Sequence, residues 1–477
     1  MKVIKNLNEA KDSSSLVYGL FNEEQMVKIN PEVDEYLSKL MLNDLISSDL
    51  GKVTTIHTFD KCQFNKIHII GLGKRSEYDF DKQAEVFEKV SYKLDRKLTI
   101  DVASFASDLN LEKTAFDLVT AINYNCYAFD QFKSKKQDTS ISVNYLISEE
   151  YKEVIESAEK ISQAIKNTRD LVNLPYNHLN AEKLANYAKE LVKRFNSKKV
   201  NIKVYNKEEI ERLGMNAFLA VNQGSKDEPY LIYIKYNGKD EISEPITLVG
   251  KGLTYDTGGY TLKSSMNTMK CDMAGAATVL GVLEAVLSNN LPINLNIVIA
   301  ATDNRISGEA YLPDDIITAM NKKTIEVVST DAEGRLTLAD ALTFAQQEGS
   351  KHIIDIATLT GAVVVALGNY TTGVFGNDQE MINRFLEASK KAGESAWQLP
   401  ITNDIRKQVR SSKVADLTNS TGRNMGASSA AAFLEEFIEE GTKWIHLDIA
   451  GTAFDQNKSG GTGVMVKSVY NYLKSLV

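Results

Sequence analysis

Short apolar stretches alternate with amphipathic stretches along most of the 477-residue chain. In the first 150 residues, the segments KIHIIGLG, KLTIDVASF and SVNYLIS are typical of strands, and helical stretches separate them. After about residue 175 the alternation resumes, and several segments are unbroken apolar runs, as in strands that are covered on both faces. The pattern predicts an α/β protein whose larger part has a mostly parallel central sheet flanked by helices.

A helical stretch separates these two parts of the chain. Residues 151–172 place Val154, Ala158 and Ile161 on one face at helical spacing, and the pattern breaks near Pro175. We therefore predict a small N-terminal α/β domain at 1–150, a linker helix at 151–174 and a larger α/β domain at 175–477.

Acidic residues follow two of the strands predicted in the larger domain. Ligands bind outside the carboxyl ends of the strands in such sheets. Lys251 and Asp256 follow the first strand, and Asp331 and Glu333 follow the third, so we expect them at one edge. The predicted strands are 246–251, 295–302, 324–329, 352–358 and 444–450, and the main predicted helices are 272–289 and 336–348.

Composition narrows the class of protein. There are 55 Lys and Arg against 63 Asp and Glu, and this net charge of −8 argues against a nucleic-acid binder, which needs a basic face. The three cysteines are far apart, which indicates a reducing compartment. No secretory leader and no run of 18 apolar residues is present, so we expect a cytoplasmic protein without a membrane segment. None of the five histidines has zinc-site spacing, so any metal would be bound mostly by oxygen atoms.

The segment VGKGLTYDTGGYTLKSSMNTMKCDMAGAA, at 249–277, carries the first candidate group. The paired Gly258 and Gly259 let the backbone turn sharply, so Lys251 and Asp256 would share one loop cavity. Asp272 would open the next helix, where the helix dipole favours a carboxylate. Each residue alone also fits a simpler interpretation: a solvated lysine, a helix-start charge or an ordinary turn.

The segment VVSTDAEGRLTLADAL, at 327–342, carries the second group. If this segment is extended, Asp331, Glu333 and Arg335 project from one face, because side chains alternate along a strand. The alternative is a helix start, with Thr330 or Asp331 as N-cap and Glu333 in the first turn.

Four carboxylates in one pocket would repel one another, and two divalent cations would neutralise them. Oxygen-rich ligation suits Mn²⁺ or Mg²⁺, and Zn²⁺ also accepts Asp and Glu. Lys251 can join such a site only as the neutral amine. From its own surroundings in the sequence it reads as a solvated lysine.

Both segments resemble the signatures of the leucyl aminopeptidase (cytosol aminopeptidase) family, including their spacing and glycines. The resemblance extends through TRDLVNLPYNHLN, DIATLTGA and WIHLDIAG, so it covers nearly all of the larger domain. GLTYDTGGYTLK and DNRISGEAYLPDDII look closest to the bacterial peptidase B branch. The resemblance implies a metalloaminopeptidase that releases N-terminal residues from peptides through a hydroxide bridging two metals, with 175–477 as its catalytic domain. It also implies a homohexamer.

The family's ligand roles carry over by position. The resemblance implies that Asp256 and Glu333 bridge the two metals, that Asp331 completes one site, and that Lys251 and Asp272 complete the other. The expected cofactors are two divalent ions per subunit, Zn²⁺ and/or Mn²⁺, together with bicarbonate.

The resemblance also implies which residues meet the substrate. Lys263 would lie over the substrate carbonyl, and Arg335 would hold the bicarbonate as general base. The expected pocket for the first side chain is lined by Met269, Thr358, Gly361 and Ala450, with Leu359 contacting substrate through its backbone.

Some positions depart from the family pattern, and other functions stay open. Ser264, Ser329 and Arg305 stand where the family usually has other residues, which leaves the preferred N-terminal residue open. One alternative is another two-metal hydrolase, such as a phosphatase or nuclease. A second is a regulatory or DNA-binding hexamer with secondary peptidase activity. A third is the same chemistry on cysteinylglycine.

Overall fold

A computed structural model describes residues 2–11, 13–22, 28–91, 95–106, 109–239 and 244–477. The chain divides into two units, Met1–Gln163 and Ala164–Val477. One long helix, Lys152–Asn173, begins in the first unit and ends in the second.

The first unit is built on a six-stranded sheet with the order β1-β6-β5-β2-β4-β3. All neighbours pair in parallel except β3 with β4. The strands are β1 Lys2–Ile4, β2 Ser15–Phe21, β3 Val53–His57, β4 Lys66–Gly73, β5 Lys97–Asp101 and β6 Ser142–Leu146. The helices are α1 Pro31–Leu42, α2 Phe80–Ser91, α3 Leu111–Asn125 and α4 Lys152–Asn173.

The second unit contains an eight-stranded sheet, two smaller sheets and most of the helices. Its strands are β7 Val200–Tyr205, β8 Tyr230–Asn237, β9 Ile246–Asp256, β10 Asn294–Asn304, β11 Ile316–Thr318, β12 Thr324–Glu326, β13 His352–Ala357, β14 Thr372–Gly376, β15 Ala396–Gln398, β16 Leu417–Thr418, β17 Lys443–Asp448, β18 Phe454–Asp455 and β19 Gly460–Gly461. Its helices after α4 are α5 Ala181–Phe195, α6 Lys207–Leu213, α7 Asn216–Asn222, α8 Ala274–Ser288, α9 Gly334–Gln347, α10 Gly361–Leu367, α11 Gln379–Ala392, α12 Asn403–Val409, α13 Gly426–Glu435 and α14 Val466–Lys474.

The large sheet has the order β15-β14-β17-β13-β9-β10-β8-β7, and its four central strands, β17, β13, β9 and β10, are parallel. Strand β9 is covered on both faces. A Cβ on Gly250 would lie 2.7 Å from the Cα of Ala276 in α8, whereas Val249 belongs to the apolar cluster that includes Leu338 of α9. Because both faces are buried, the strand reads as an unbroken apolar run. The predicted α/β fold with a mostly parallel sheet is confirmed.

One predicted strand was placed in the wrong sheet. Residues 324–329 were expected in the central sheet, but only Thr324–Glu326 is extended, and β12 pairs with β11 and β16 in a separate three-stranded sheet. Ile325 and Val327 are nevertheless fully buried in the large apolar cluster. An apolar segment in a small neighbouring sheet therefore has the same sequence pattern as a central strand.

The stretch Met269–Ser288, which contains α8, is long and apolar enough by composition to cross a membrane. However, 89% of its most apolar window is buried inside the protein, as is usual for a core helix.

Candidate functional site

Strand β9 carries two buried charged residues to the edge of the large sheet. Lys251 and Asp256 are 3% and 1% exposed. The chain then turns through Gly258 and Gly259, whose φ angles of +85° and +61° suit glycine. A Cβ on Gly259 would lie 2.8 Å from Thr330 Oγ1, so this glycine also permits the close approach of the loop that carries Asp331.

Lys251 lies at the centre of one half of the site. Its Nζ lies 2.8 Å from Asp272 Oδ1 and 3.0 Å from Glu333 Oε1, and it donates to the Thr358 carbonyl at 2.9 Å. Helix α9 begins directly against this side chain, because a Cβ on Gly334 would lie 2.6 Å from Lys251 Nζ.

Lys263 occupies the other half. Its Nζ lies 2.7 Å from Asp256 Oδ2 and 2.5 Å from Asp331 Oδ1. Asp256, Asp331 and Glu333 each direct one carboxylate oxygen to a common point, with these oxygens within 4.8 Å of one another. The two segments predicted from sequence are thus brought into one site.

The carboxylates perturb one another strongly. Burial raises the pKa of Asp256 to about 6, and the Glu333 carboxylate adds to the rise. Burial likewise raises the pKa of Asp272 to about 8, although Lys251 opposes it. Burial alone would lower the pKa of Lys251, but Asp272 and Glu333 raise it above its ordinary value. The buried carboxylates therefore favour bound protons or cations, which reduce the negative charge of the site.

The donor set fits divalent cations. Four carboxylates face two ammonium groups, so two negative charges remain to be balanced when all six groups are ionised. In the described part of the chain, Asp272 Oδ2 and Glu333 Oε2 are buried without a hydrogen-bond partner. A buried carboxylate oxygen without a partner is costly, and a bound cation would satisfy it.

The path by which these carboxylates converge differs from the prediction. Residues 327–333 are not an extended segment: Asp331 lies in a turn, and Glu333 stands at the N-cap of α9 with φ −76° and ψ −38°. The helix-start alternative is right that a helix begins here, but wrong about its cap: Glu333, rather than Thr330 or Asp331, is the N-cap, and its side chain makes no capping hydrogen bond. Asp272 lies in the 3₁₀ helix Met269–Met273 rather than opening α8. A turn, a helix N-cap and a 3₁₀ helix therefore position Asp331, Glu333 and Asp272, rather than strand alternation.

Arg335 is buried in the first turn of α9, and burial lowers its pKa to about 10. One terminal guanidinium nitrogen donates to the Asn419 carbonyl at 2.8 Å. Its Nε has no hydrogen-bond partner among the described residues. The guanidinium therefore keeps a buried donor for a further acceptor.

Among the residues predicted to line a substrate pocket, Thr358 contacts the carboxylates directly. Thr358 Oγ1 donates to Asp272 Oδ1 at 2.8 Å, which places it directly beside the carboxylates. The backbone amides of Leu359 and Ala450 both donate to Asp448 Oδ1, at 3.1 and 3.2 Å. Met269 begins the 3₁₀ helix that carries Asp272, and Gly361 begins α10.

Sequence reasoning missed residues that build the site without carrying its charge. Asn304 Nδ2 donates to Asp256 Oδ1, and Asp448 holds the Leu359 and Ala450 backbone. Thr330 accepts from the Thr261 amide through Oγ1 and donates its own amide to Thr261 Oγ1. The one available signal was a polar residue at the end of an apolar strand, which fits both Asn304 and Asp448.

Comparisons with known proteins give consistent matches over both units. The family model described as the cytosol aminopeptidase family, catalytic domain, matches residues 166–470, and the model of that family's N-terminal domain matches 18–136. A probable cytosol aminopeptidase of Bacillus licheniformis is 40% identical over 482 residues, which cover 96% of each chain. The solved structure of the bottromycin maturation enzyme BotP is 27% identical, with a TM-score of 0.86 over 97% of this chain and 99% of that chain. A structure of BotP in complex with Mn matches equally well.

Proposed function

This chain belongs to the cytosol (leucyl) aminopeptidase family, and from that premise we propose that it releases N-terminal residues from peptides with two divalent metal ions. The family makes it a metal-dependent peptide-bond hydrolase. The observation that carries the finer proposal is the group of four carboxylates around Lys251 and Lys263, with two buried oxygens that lack partners among the described residues.

In this proposal each metal is held by residues already in mutual contact. Asp256 and Glu333 would contribute to both metal sites, Asp331 would complete one, and Lys251 and Asp272 would complete the other. Lys251 would bind as the amine, and two divalent charges beside it favour loss of its proton. Zn²⁺ and Mn²⁺ both suit an oxygen-rich set with one nitrogen, and the Mn complex of BotP supports manganese.

When bound, the metal pair would polarise the scissile carbonyl and make water a stronger nucleophile by lowering its pKa, and bicarbonate would supply a general base. Lys263, whose ammonium lies among these carboxylates, would stabilise the oxyanion that develops on the carbonyl. Arg335 would hold the bicarbonate through its unused buried donor. The low exposure of Lys251, Asp256 and Glu333 strengthens electrostatic interactions at the reacting bond.

A further set of residues is proposed to position the peptide substrate beside the metal ions. We assign the pocket for the first side chain to Met269, Thr358, Gly361 and Ala450, with Leu359 contacting the peptide through its backbone. The shared Asp448 anchor of Leu359 and Ala450 supports their joint role, because one buried carboxylate fixes both backbones.

The name of the Bacillus licheniformis relative supports a cytosolic location, and the family supports a homohexamer. Val365 and Tyr370 are apolar side chains that are 90% and 86% exposed, which a subunit contact could cover. Light scattering on the purified chain measures the subunit number, and a monomer would contradict the hexamer.

Hydrolysis of leucine amide and of a phosphoester, measured side by side, tests the proposed reaction. The amide should be cleaved and the phosphoester not, a chelator should abolish the activity, and Mn²⁺ or Zn²⁺ should restore it. Lys263→Met and Asp331→Ala should each lower kcat by at least about 100-fold. The matched control is Lys407→Met, which removes a lysine paired with Asp404 on the surface. Near-full activity of metal-loaded Asp331→Ala would refute the assignment.

A further inference from the structure

Asn304 ends strand β10 inside the candidate metal site and is fully buried. Its Nδ2 donates to Asp256 Oδ1 at 2.9 Å and to the Thr330 carbonyl at 2.9 Å. Because both partners are acceptors, the amide must present its nitrogen to them. The Asn304 Oδ1 is then directed elsewhere and has no hydrogen-bond partner within the described ranges.

The contact with Asn304 determines which edge of the Asp256 carboxylate is available. Oδ1 accepts from the Gly258 amide at 2.8 Å and from Asn304, whereas Oδ2 faces Lys263. Two donors on one oxygen prevent the carboxylate from rotating, so Oδ2 stays directed toward the other acidic groups. Without the amide, repulsion from Glu333 would favour rotation of Asp256 away from the site.

Asn304 also connects two segments that carry acidic groups. Asp256 ends β9, and the Thr330 carbonyl forms the peptide bond that leads into Asp331. One amide nitrogen therefore sets the spacing between these segments. Tyr311 donates its hydroxyl to the same Thr330 carbonyl at 2.8 Å, which leaves that peptide little freedom.

We propose that Asn304 is a positioning residue that sets the affinity of the site for its divalent cations. It does so by holding Asp256 and the Thr330–Asp331 peptide at a fixed position relative to each other. The inference rests on the proposed function, in which Asp256 and Asp331 bind metal. Partners that orient metal ligands typically change metal affinity by about 10–100-fold when they are removed.

The chain contains a matched control for this residue. Asn222 is 4% exposed, and its Nδ2 also donates two hydrogen bonds, at 2.9 Å to the Asp227 carbonyl and at 2.9 Å to Thr302 Oγ1. Thr302 lies on β10, two residues before Asn304. Leucine has nearly the shape of asparagine, so Asn222→Leu and Asn304→Leu each remove two hydrogen bonds donated by a buried side-chain amide, from α7 in the first variant and from β10 in the second. Only one of the two variants disturbs a carboxylate of the site.

The experiment is a calorimetric titration of the full chain, stripped with a chelator, with Mn²⁺. Asn304→Leu should raise the Kd for Mn²⁺ by about 10–100-fold, whereas Asn222→Leu should leave it within about twofold of the original chain. The midpoint temperature of thermal unfolding, measured in chelator, should fall by a similar amount in both variants. Saturating Mn²⁺ should restore leucine amide hydrolysis by Asn304→Leu, because the remaining ligands are intact. Should Asn304→Leu not fold, Asn304→Ala carries the same expectation.

An unchanged Kd in the Asn304 variants would overturn the inference, and so would an equal loss of affinity in Asn222→Leu, which would indicate general destabilisation. An original chain that binds Mn²⁺ but cleaves no aminoacyl amide would refute the proposed function alone, since the comparison of metal affinities would still decide the role of Asn304. An original chain that binds neither Mn²⁺ nor Zn²⁺ would overturn both.

Discussion

A methyl group added at Gly334 should destabilise the protein at its candidate metal site. A Cβ at this position would lie 2.6 Å from Lys251 Nζ and 2.9 Å from Lys251 Cδ, and closer still to Cε. Comfortable contacts need about 3.5–4.0 Å, so the lysine would have to move by about 1 Å. Lys251 cannot move cheaply, because its Nζ is held by Asp272, Glu333 and the Thr358 carbonyl.

Two effects of opposite sign compete in Gly334→Ala. Gly334 opens helix α9, and replacing a helical glycine by alanine stabilises by about 0.5–1 kcal/mol. Overpacking of a dense interior costs about 1–3 kcal/mol, and the displaced ammonium also loses strength in its charge-assisted hydrogen bonds. We therefore expect a net loss of about 1–2 kcal/mol in the free energy of unfolding. Mn²⁺ affinity should fall by at least about tenfold, because two proposed ligands contact this lysine.

Urea unfolding in chelator gives the change in stability, and titration with Mn²⁺ gives the change in affinity. The control is Gly308→Ala, because a Cβ there meets no atom within 4 Å and the glycine does not need a positive φ. A Gly334→Ala chain that matched or exceeded Gly308→Ala in stability, with unchanged Mn²⁺ affinity, would refute this reasoning. It would mean that helix propensity outweighs the steric conflict.

Two further predictions concern buried groups outside the site. Asp340→Asn should lower the free energy of unfolding by about 1–3 kcal/mol in urea unfolding, because both carboxylate oxygens accept backbone amides, from Phe218 and Met320, and an amide nitrogen cannot accept; unchanged stability would contradict this. In the first unit, burial lowers the pKa of His68 below 6.5, so the unfolded chain takes up its proton first and stability should fall as the pH drops below about 6.5. Hydrogen exchange measured between pH 7 and 5 gives the loss of stability of the first unit as the pH falls. This loss should be smaller in His68→Gln than in the original chain, and His57→Gln, at an exposed histidine, is the control. An equal loss of stability in all three chains would exclude this role of His68.

The sequence predicted which charged residues form the candidate site, but not which backbone elements bring them together. Asp256, Asp331 and Glu333 were selected by their type and by their place after apolar segments, and they do converge. The expected route, two strands of one sheet with an extended acidic segment, was wrong for Asp331 and Glu333. The acidic turn is instead attached through hydrogen bonds to Asn304 and Thr261.

The amino-acid sequence by itself determined the α/β class, the four central strands of the large sheet and the identity of the acidic residues. These depend on local periodicity and side-chain chemistry, which can be read along the chain. Only the tertiary structure decided that β12 lies outside the large sheet and that Gly334 makes room for Lys251. It also decided that one amide of Asn304 connects Asp256 to the peptide before Asp331. The physical reason is that such contacts join residues tens of positions apart, where a distance of a few tenths of an ångström decides the interaction and no local pattern records it.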